Sequence, residues 1–175
     1  MTRRPDTAPF AIRLAHAYRL LEHGPPSVPV HLADQLEAAT DEVHVLAGRL
    51  GVLLPVLVPD RAWFQRMDTS PSVDARALLL AALLGCLGAI CCHLKRGGPQ
   101  PAIGRLPLRR VDCTRCVGTV RRPPPDDVDR CDVCDRRGVV TFSPFAVRQG
   151  PLLLIGDACQ PCAGTLGIRI EQEAS

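Results

Sequence analysis

Three Cys-x-x-Cys pairs close together constrain this chain more than any other feature: Cys113-Thr114-Arg115-Cys116, Cys131-Asp132-Val133-Cys134 and Cys159-Gln160-Pro161-Cys162. Two intervening residues make one tight turn, which presents both sulfurs to the same ion while the turn's amides support thiolate charge. Two such turns complete a tetrahedral sphere of four sulfurs with no open position, an arrangement that is structural rather than catalytic. Disulfides are the competing use of paired cysteine. The opening residues, Met1 to Asp6, lack the apolar core of a secretory signal, so a reducing, cytoplasmic setting is expected. Nine Cys also cannot all pair internally. Zinc is the expected ion, one per chain, with room for a second where further ligands exist.

Of the alternatives for sharing an ion, Cys131 and Cys134 with Cys159 and Cys162 is favoured. The interval between them contains Val139-Val140-Thr141-Phe142 and Leu152-Leu153-Leu154-Ile155 around Gln149-Gly150-Pro151, the pattern of a β-hairpin rising from one knuckle and returning to the next. The interval between Cys116 and Cys131 is instead dominated by Arg, Pro and Asp and has little strand character. Cys113 and Cys116 then need partners. Cys91, Cys92 and His93 lie about twenty residues upstream and can supply a second ion, but the favoured reading makes Cys86, Cys91 and Cys92 small apolar core residues. His16, His23, His31 and His44 show no ligand spacing. Without metal, Cys113 and Cys116 beside Arg110 and Arg115 would be a redox pair.

These cysteines carry a resemblance. Residues 113–164 resemble the zinc-ribbon and treble-clef group, and Cys113-Thr-Arg-Cys116-Val-Gly118 and Cys159-Gln-Pro-Cys162-Ala-Gly164 look like the CxxCxG knuckles of the DnaJ-type chaperone zinc region. The resemblance implies zinc held by thiolates and, in the treble-clef variant, a short helix opening at Cys159 and Cys162. Gly118, Gly138 and Gly164, shortly after a second Cys, are expected to turn the backbone through positive φ. The tripeptide His-Pro-Asp of the J domain occurs nowhere.

Upstream, the pattern is helical. Residues 8–96 read as a bundle of about three helices, 97–104 as a linker around Gly97-Gly98-Pro99-Gln100-Pro101, and 105–170 as the cysteine-rich domain, giving an α+β protein. The first helix, Ala8 to about His23, is expected to bury Ile12, Ala15, Leu20 and Leu21. The second carries Leu32, Leu36, Ala39, Val43, Leu46, Leu50, Leu53 and Leu57 at alternating steps of four and three, with Ser27 and Pro29 at its start and Pro55 kinking or ending it. Packing within the chain is favoured for this seam; the alternative is a homodimer through residues 32–57. The third starts near Ser70 or Ser72, and its body, Ala77 to Leu94, has no formal charge. It reads as a buried core helix, with a membrane anchor as the alternative. Ala81, Gly85 and Ala89 recur every fourth residue.

Composition narrows function. Aromatics make up 3% of the chain, too few for a stacking platform, and a formal net charge of +3 sets up no overall basic field. Twenty Arg against the single Lys95 fit a GC-rich bacterial genome. No GxSxG, phosphate-cradling Gly-rich loop, HExxH or deaminase zinc signature occurs, so no enzyme is expected. Arg105, Arg109, Arg110, Arg115, Arg121 and Arg122 against Asp112 alone are the candidate contacts to nucleic acid; a protein partner is the other option, and no small-molecule substrate is evident. The expectation is a non-catalytic zinc-binding regulatory or adaptor protein, with a thiol–disulfide or chaperone-like role, or a membrane-anchored zinc protein, as alternatives.

Overall fold

In the computed structural model, residues 8–24, 29–57, 72–117 and 129–168 are described. Helices come first and strands second: α1 (Phe10–His23), α2 (Val30–Leu57), α3 (Val73–Leu84), α4 (Cys92–Arg96), β1 (Ala102–Arg105), β2 (Arg110–Cys113), β3 (Phe142–Gln149), β4 (Leu152–Cys159) and α5 (Gln160–Leu166). The protein is α+β.

The sheet has the order β2-β1-β4-β3. Antiparallel β1–β2 and β3–β4 pairs are joined by a parallel β1–β4 pairing, with Ala102 opposite Leu152 and Arg105 opposite Ile155. Gly150, at φ +55°, closes the turn between Gln149 and Leu152 in the left-handed region that glycine enters without a Cβ clash. Side chains along β3 and β4 alternate, as the two-residue period of a strand demands. Phe145, Val147, Leu154 and Ala158 enter the main core with Ala75, Leu79 and Ala82 of α3 and Ala163 and Leu166 of α5. Ala146 and Leu153 face the other way, onto Val43 and Ala47 of α2. The sheet is thus covered by α3 and α5 on one face and by α2 on the other.

The second helix therefore uses the centre of its seam inside the chain: Ala39 and Val43 are buried and Leu46 half-buried, with Ala47, next to the seam, buried as well. The side chains of Leu50, Leu53 and Leu57, like Ser27 and the triple proline at 123–125, lie outside the described residues, and α2 runs to Leu57, two residues past Pro55.

The first helix is rotated from the expected face. Ile12 is 57% and Leu20 41% exposed, and Ala15 is exposed too. Phe10, Leu14, Ala17, Tyr18 and Leu21, at steps of three and four, pack instead on Ala77 and Ala81 of α3. Alanines on α3 let the two helices approach closely, and the buried edge of α1 also takes in Arg13, which sequence hydrophobicity alone does not place inside.

The third helix is shorter than expected. Ser72 caps it, its Oγ accepting from the Ala75 N–H at 3.1 Å, with Asp74 in the first turn. It ends at Leu84, and residues 77–94 then continue as a 3-10 turn over Leu87–Ala89, extended Ile90 and Cys91, and α4. Gly85 marks the break: a Cβ there would strike the guanidinium of Arg13. Among the described residues no helix is long and apolar enough to cross a membrane. Ile90 bridges Val111, and the Cys91 N–H donates to the Val111 carbonyl at 2.9 Å, so this stretch lies along β2. Residues 102–104, in the segment read as a linker, belong to β1, and the hairpin begins at Phe142, leaving Val140 97% exposed before it.

Candidate metal centres

Two tetrads of metal-ligating side chains come together. Cys131, Cys134, Cys159 and Cys162 form one, and Cys91, His93, Cys113 and Cys116 the other; within each, the ligand atoms all lie within 4.8 Å of one another. The first joins the knuckle after Arg130 to the end of β4 and the start of α5. Cys159 is the N-cap of α5 and Cys162 lies in its first turn, with Pro161 early in the helix and Gly167, at φ +71°, closing it. Gly138 also has positive φ, whereas Gly164 is an ordinary helical residue inside α5 and Gly118 lies outside the described residues. The left-handed position directly after the knuckle is taken by Asp135, at φ +63°.

The geometry fits a tetrahedral ion. Zn–S bonds of about 2.3 Å at tetrahedral angles place sulfurs roughly 3.8 Å apart, and Zn–N of about 2.0–2.1 Å places an imidazole nitrogen roughly 3.6 Å from a sulfur. The Cys134 and Cys159 sulfurs are 3.7 Å apart. His93 Nδ1 lies 3.2 Å from Cys116 Sγ and 3.9 Å from Cys113 Sγ. Each tetrad also shows the amide support thiolates need. The Cys159 N–H donates to Cys131 Sγ at 3.2 Å, and the Cys113 N–H donates to Cys91 Sγ at 3.3 Å. In both cases the Cys that ends a strand donates to the first Cys of the upstream ligand pair.

Electrostatics distinguish the sulfurs. Hydrogen bonds from the Cys134 and Cys162 thiols, with backbone N–H groups, hold Cys131 well below the ordinary thiol range despite its burial. Cys134 is pushed up to about 11, chiefly by its hydrogen bond to Cys131, and Cys162 is pushed up by its bonds to Cys131 and Cys134. Negative charge therefore collects first on Cys131. Burial pushes up Cys91, but backbone N–H groups of Cys113 and Leu94 outweigh it and leave that thiol lowered. Desolvation and the hydrogen bond to Cys113 raise Cys116 to about 11. Burial raises Cys86 to about 11 as well; it belongs to neither tetrad and its Sγ donates to the Ala82 carbonyl inside the core. Cys92 is exposed and lies outside both.

Arginines gather on Asp135, the residue that follows Cys134. Arg13 of α1 and Arg109 both pair with Asp135, with Arg130 3.9 Å from the same carboxylate. These guanidiniums meet Asp135 and, for Arg130, the field of Asp132 as well, next to four sulfurs that would become a dianion on binding a divalent cation. Asp132, inside the same knuckle, accepts from the Asp157 N–H at 2.7 Å, and burial pushes its carboxyl up to about 7.

The arginines singled out on sequence are placed differently from one another. Arg105 and Arg110 both turn to the fully buried Asp112, Arg110 Nε at 2.6 Å, and Arg105 also donates to the Val117 carbonyl at 2.9 Å. Arg109 turns to Asp135. Arg115 is exposed, and Arg121 and Arg122 lie outside the described residues. Lys95 and Arg96, missed on sequence, are exposed on α4 two and three residues beyond His93. The apposition of His93 and Cys116 brings their segment beside that of Arg115.

His93 and Cys91 were set aside on sequence because residues 77–94 read as one helix. The signal that identifies them is the Cys-x-His spacing, which works only once Cys91 is extended and α4 starts afresh after it. Compared with protein families, curated proteins and solved structures, the chain matches no family model, no curated protein and no solved structure.

Proposed function

We propose that this protein is a non-catalytic, two-zinc adaptor whose metal-built half presents a basic rim to a polyanionic partner, with nucleic acid as the best-fitting class. The observation that carries the reading is the pair of closed tetrads, each with four ligands and no position reserved for a substrate or an activated water. The hairpin followed by a helix opening at Cys159 is the arrangement of treble-clef sites and supports that part of the resemblance. Knuckles closed in this way shape a surface instead of performing chemistry. A thiol–disulfide role is less well supported, because Cys116, the most accessible sulfur of its pair, is pushed up to about 11, the wrong direction for an attacking thiolate.

The basic rim consists of Lys95, Arg96 and Arg115, all exposed, rather than the inward-turned Arg105, Arg109 and Arg110. Three phosphate contacts give a salt slope of about −2.7 in log K against log[salt] on duplex DNA. Anisotropy titrations of the zinc-loaded chain with labelled DNA and RNA at graded salt test this. Arg115→Ala is expected to shallow the slope by about one, without changing which sequences bind. Binding insensitive to salt, or to Lys95→Ala, Arg96→Ala and Arg115→Ala alike, would move the reading to a protein partner. Cobalt(II) titration provides the metal arm: thiolate-to-cobalt charge transfer and tetrahedral d–d bands should saturate at two equivalents.

A further inference from the structure

The two tetrads differ in how the fold encloses them. Cys131, Cys159 and Cys162 are at most 6% exposed and belong to the main core with Leu79, Leu106, Phe145 and Leu154, and the half-buried Cys134 packs against it. An ion there could leave only if β4, α5 and the 131–134 knuckle separated, which is to say with global unfolding. The other tetrad has buried sulfurs at Cys91 and Cys113, but His93 is exposed and Cys116 only half-buried. Its upstream ligands lie on a short segment that rests on the main core through the half-buried Ile90 and Leu94, with the His93 carbonyl accepting from Gln100 Nε2 at 2.9 Å. The 3-10 turn has three residues and α4 has five, far below the length at which a helix is stable alone. Along β2 it is held by the Ile90–Val111 bridge, the Cys91 N–H to Val111 bond and the Cys113 N–H to Cys91 Sγ bond, beside the packing of Ile90 and Leu94. Residues 92–98 are otherwise exposed, apart from the half-buried Leu94.

Resting on the two-zinc reading above, we propose that the Cys91–His93–Cys113–Cys116 site is exchangeable and acts as a latch. Its ion holds residues 90–96 against β2, and its release lets that segment lift while the sheet, α5 and the four-cysteine site stay folded. Lys95 and Arg96 sit on the lifting side and Arg115 on the fixed side. Losing this one ion therefore takes the basic rim apart, so polyanion binding becomes dependent on available zinc.

The full-length, zinc-loaded chain tests this with pyridylazoresorcinol as competing chelator and hydrogen exchange as the readout of place. One equivalent is expected to leave in a fast phase and the second at least about ten-fold more slowly, since the first needs only local opening and the second global. At the end of the fast phase, amides of residues 90–96 lose protection, those of 152–166 keep it, and DNA binding has fallen. Cys116→Ser should retain one slowly released ion and a folded sheet. If that variant fails to fold, the wild-type phases and the exchange map still decide. Release of both ions in one phase, or loss of protection in 152–166 before 90–96, would overturn the latch and leave the two-zinc reading intact. A chain that takes up fewer than two equivalents would overturn both.

Discussion

At the scale of single residues, charge decides more than size. Arg13 is buried at one edge of α1, has its guanidinium on Asp135 and passes over Gly85, where glycine leaves the space it needs. Replacing Arg13 by Ala removes one charge-assisted bond to the half-buried Asp135, which keeps Arg109, and such a bond contributes about 1.5–3 kcal/mol. The expected result is a clear loss in the urea midpoint, with Gly85→Ala losing stability through the same displaced guanidinium. Asp132 yields a pH-dependent prediction. Burial raises its carboxyl in the fold from 3.8 to about 7, so the fold prefers it protonated. Its contribution is complete below the unfolded value near 4 and is lost as pH rises through about 7. Asp132→Asn keeps an oxygen for the Asp157 N–H but carries no charge. Thermal melts should show the variant more stable than the parent at pH 8, with the gain shrinking towards pH 6; a gain independent of pH would refute the assignment. Cys86, raised to about 11 and bonded to the Ala82 carbonyl, should resist alkylation in the native chain even under a chelator mild enough to leave the main core folded.

At the scale of elements, periodicity was legible and chain breaks were not. The helix start at Cys159 and Cys162 was implied by the treble-clef resemblance, while the α2 seam and the hairpin around Gly150-Pro151 follow from spacing and turn chemistry in the sequence. The division of 77–94 into α3, a 3-10 turn and α4 does not, because a charge-free run of Ala, Leu, Gly and Cys has the same composition whether it is one helix or three pieces. What breaks it is tertiary: Arg13 arrives at Gly85, and Val111 pairs with Ile90. The strands β1 and β2 were hidden for a related reason. Each has four residues, and Arg105, Arg110 and Asp112 make them look like surface until Asp112 is seen buried between two guanidiniums. The division of 77–94 is also why Cys91 looked like a core residue and His93 stayed only a possible ligand. The face of α1 was misjudged because Ile12 and Leu20 outrank Arg13 on any hydrophobicity scale. For α2, Leu153 is fully buried against Val43 and Ala47. Leu153→Ala should cost about 2–5 kcal/mol. A double-mutant cycle with Val43→Ala should show coupling; additive losses would contradict the packing of α2 on β4.

At the scale of the whole molecule, helices and metal-binding segments do not form separate interiors. Ala75, Leu79 and Ala82 of α3 share one core with Cys131, Cys159 and Cys162, and Arg13 of α1 reaches the knuckle through Asp135. Coordination and apolar packing are thus coupled: four sulfurs gather β4, α5 and the 131–134 knuckle around a point that the core also surrounds. Cys162→Ser should for that reason lower the thermal midpoint of the entire chain in one transition, whereas Cys116→Ser should change it far less. X-ray absorption at the zinc edge, made with the metal content of the same sample, tests the central claim most directly. The account predicts two zinc ions per chain, with a first shell averaging about 3.5 sulfurs and 0.5 nitrogen per ion, as one four-sulfur and one three-sulfur, one-imidazole site require. A shell containing oxygen, a single ion per chain, or sulfurs oxidised to disulfides would contradict it.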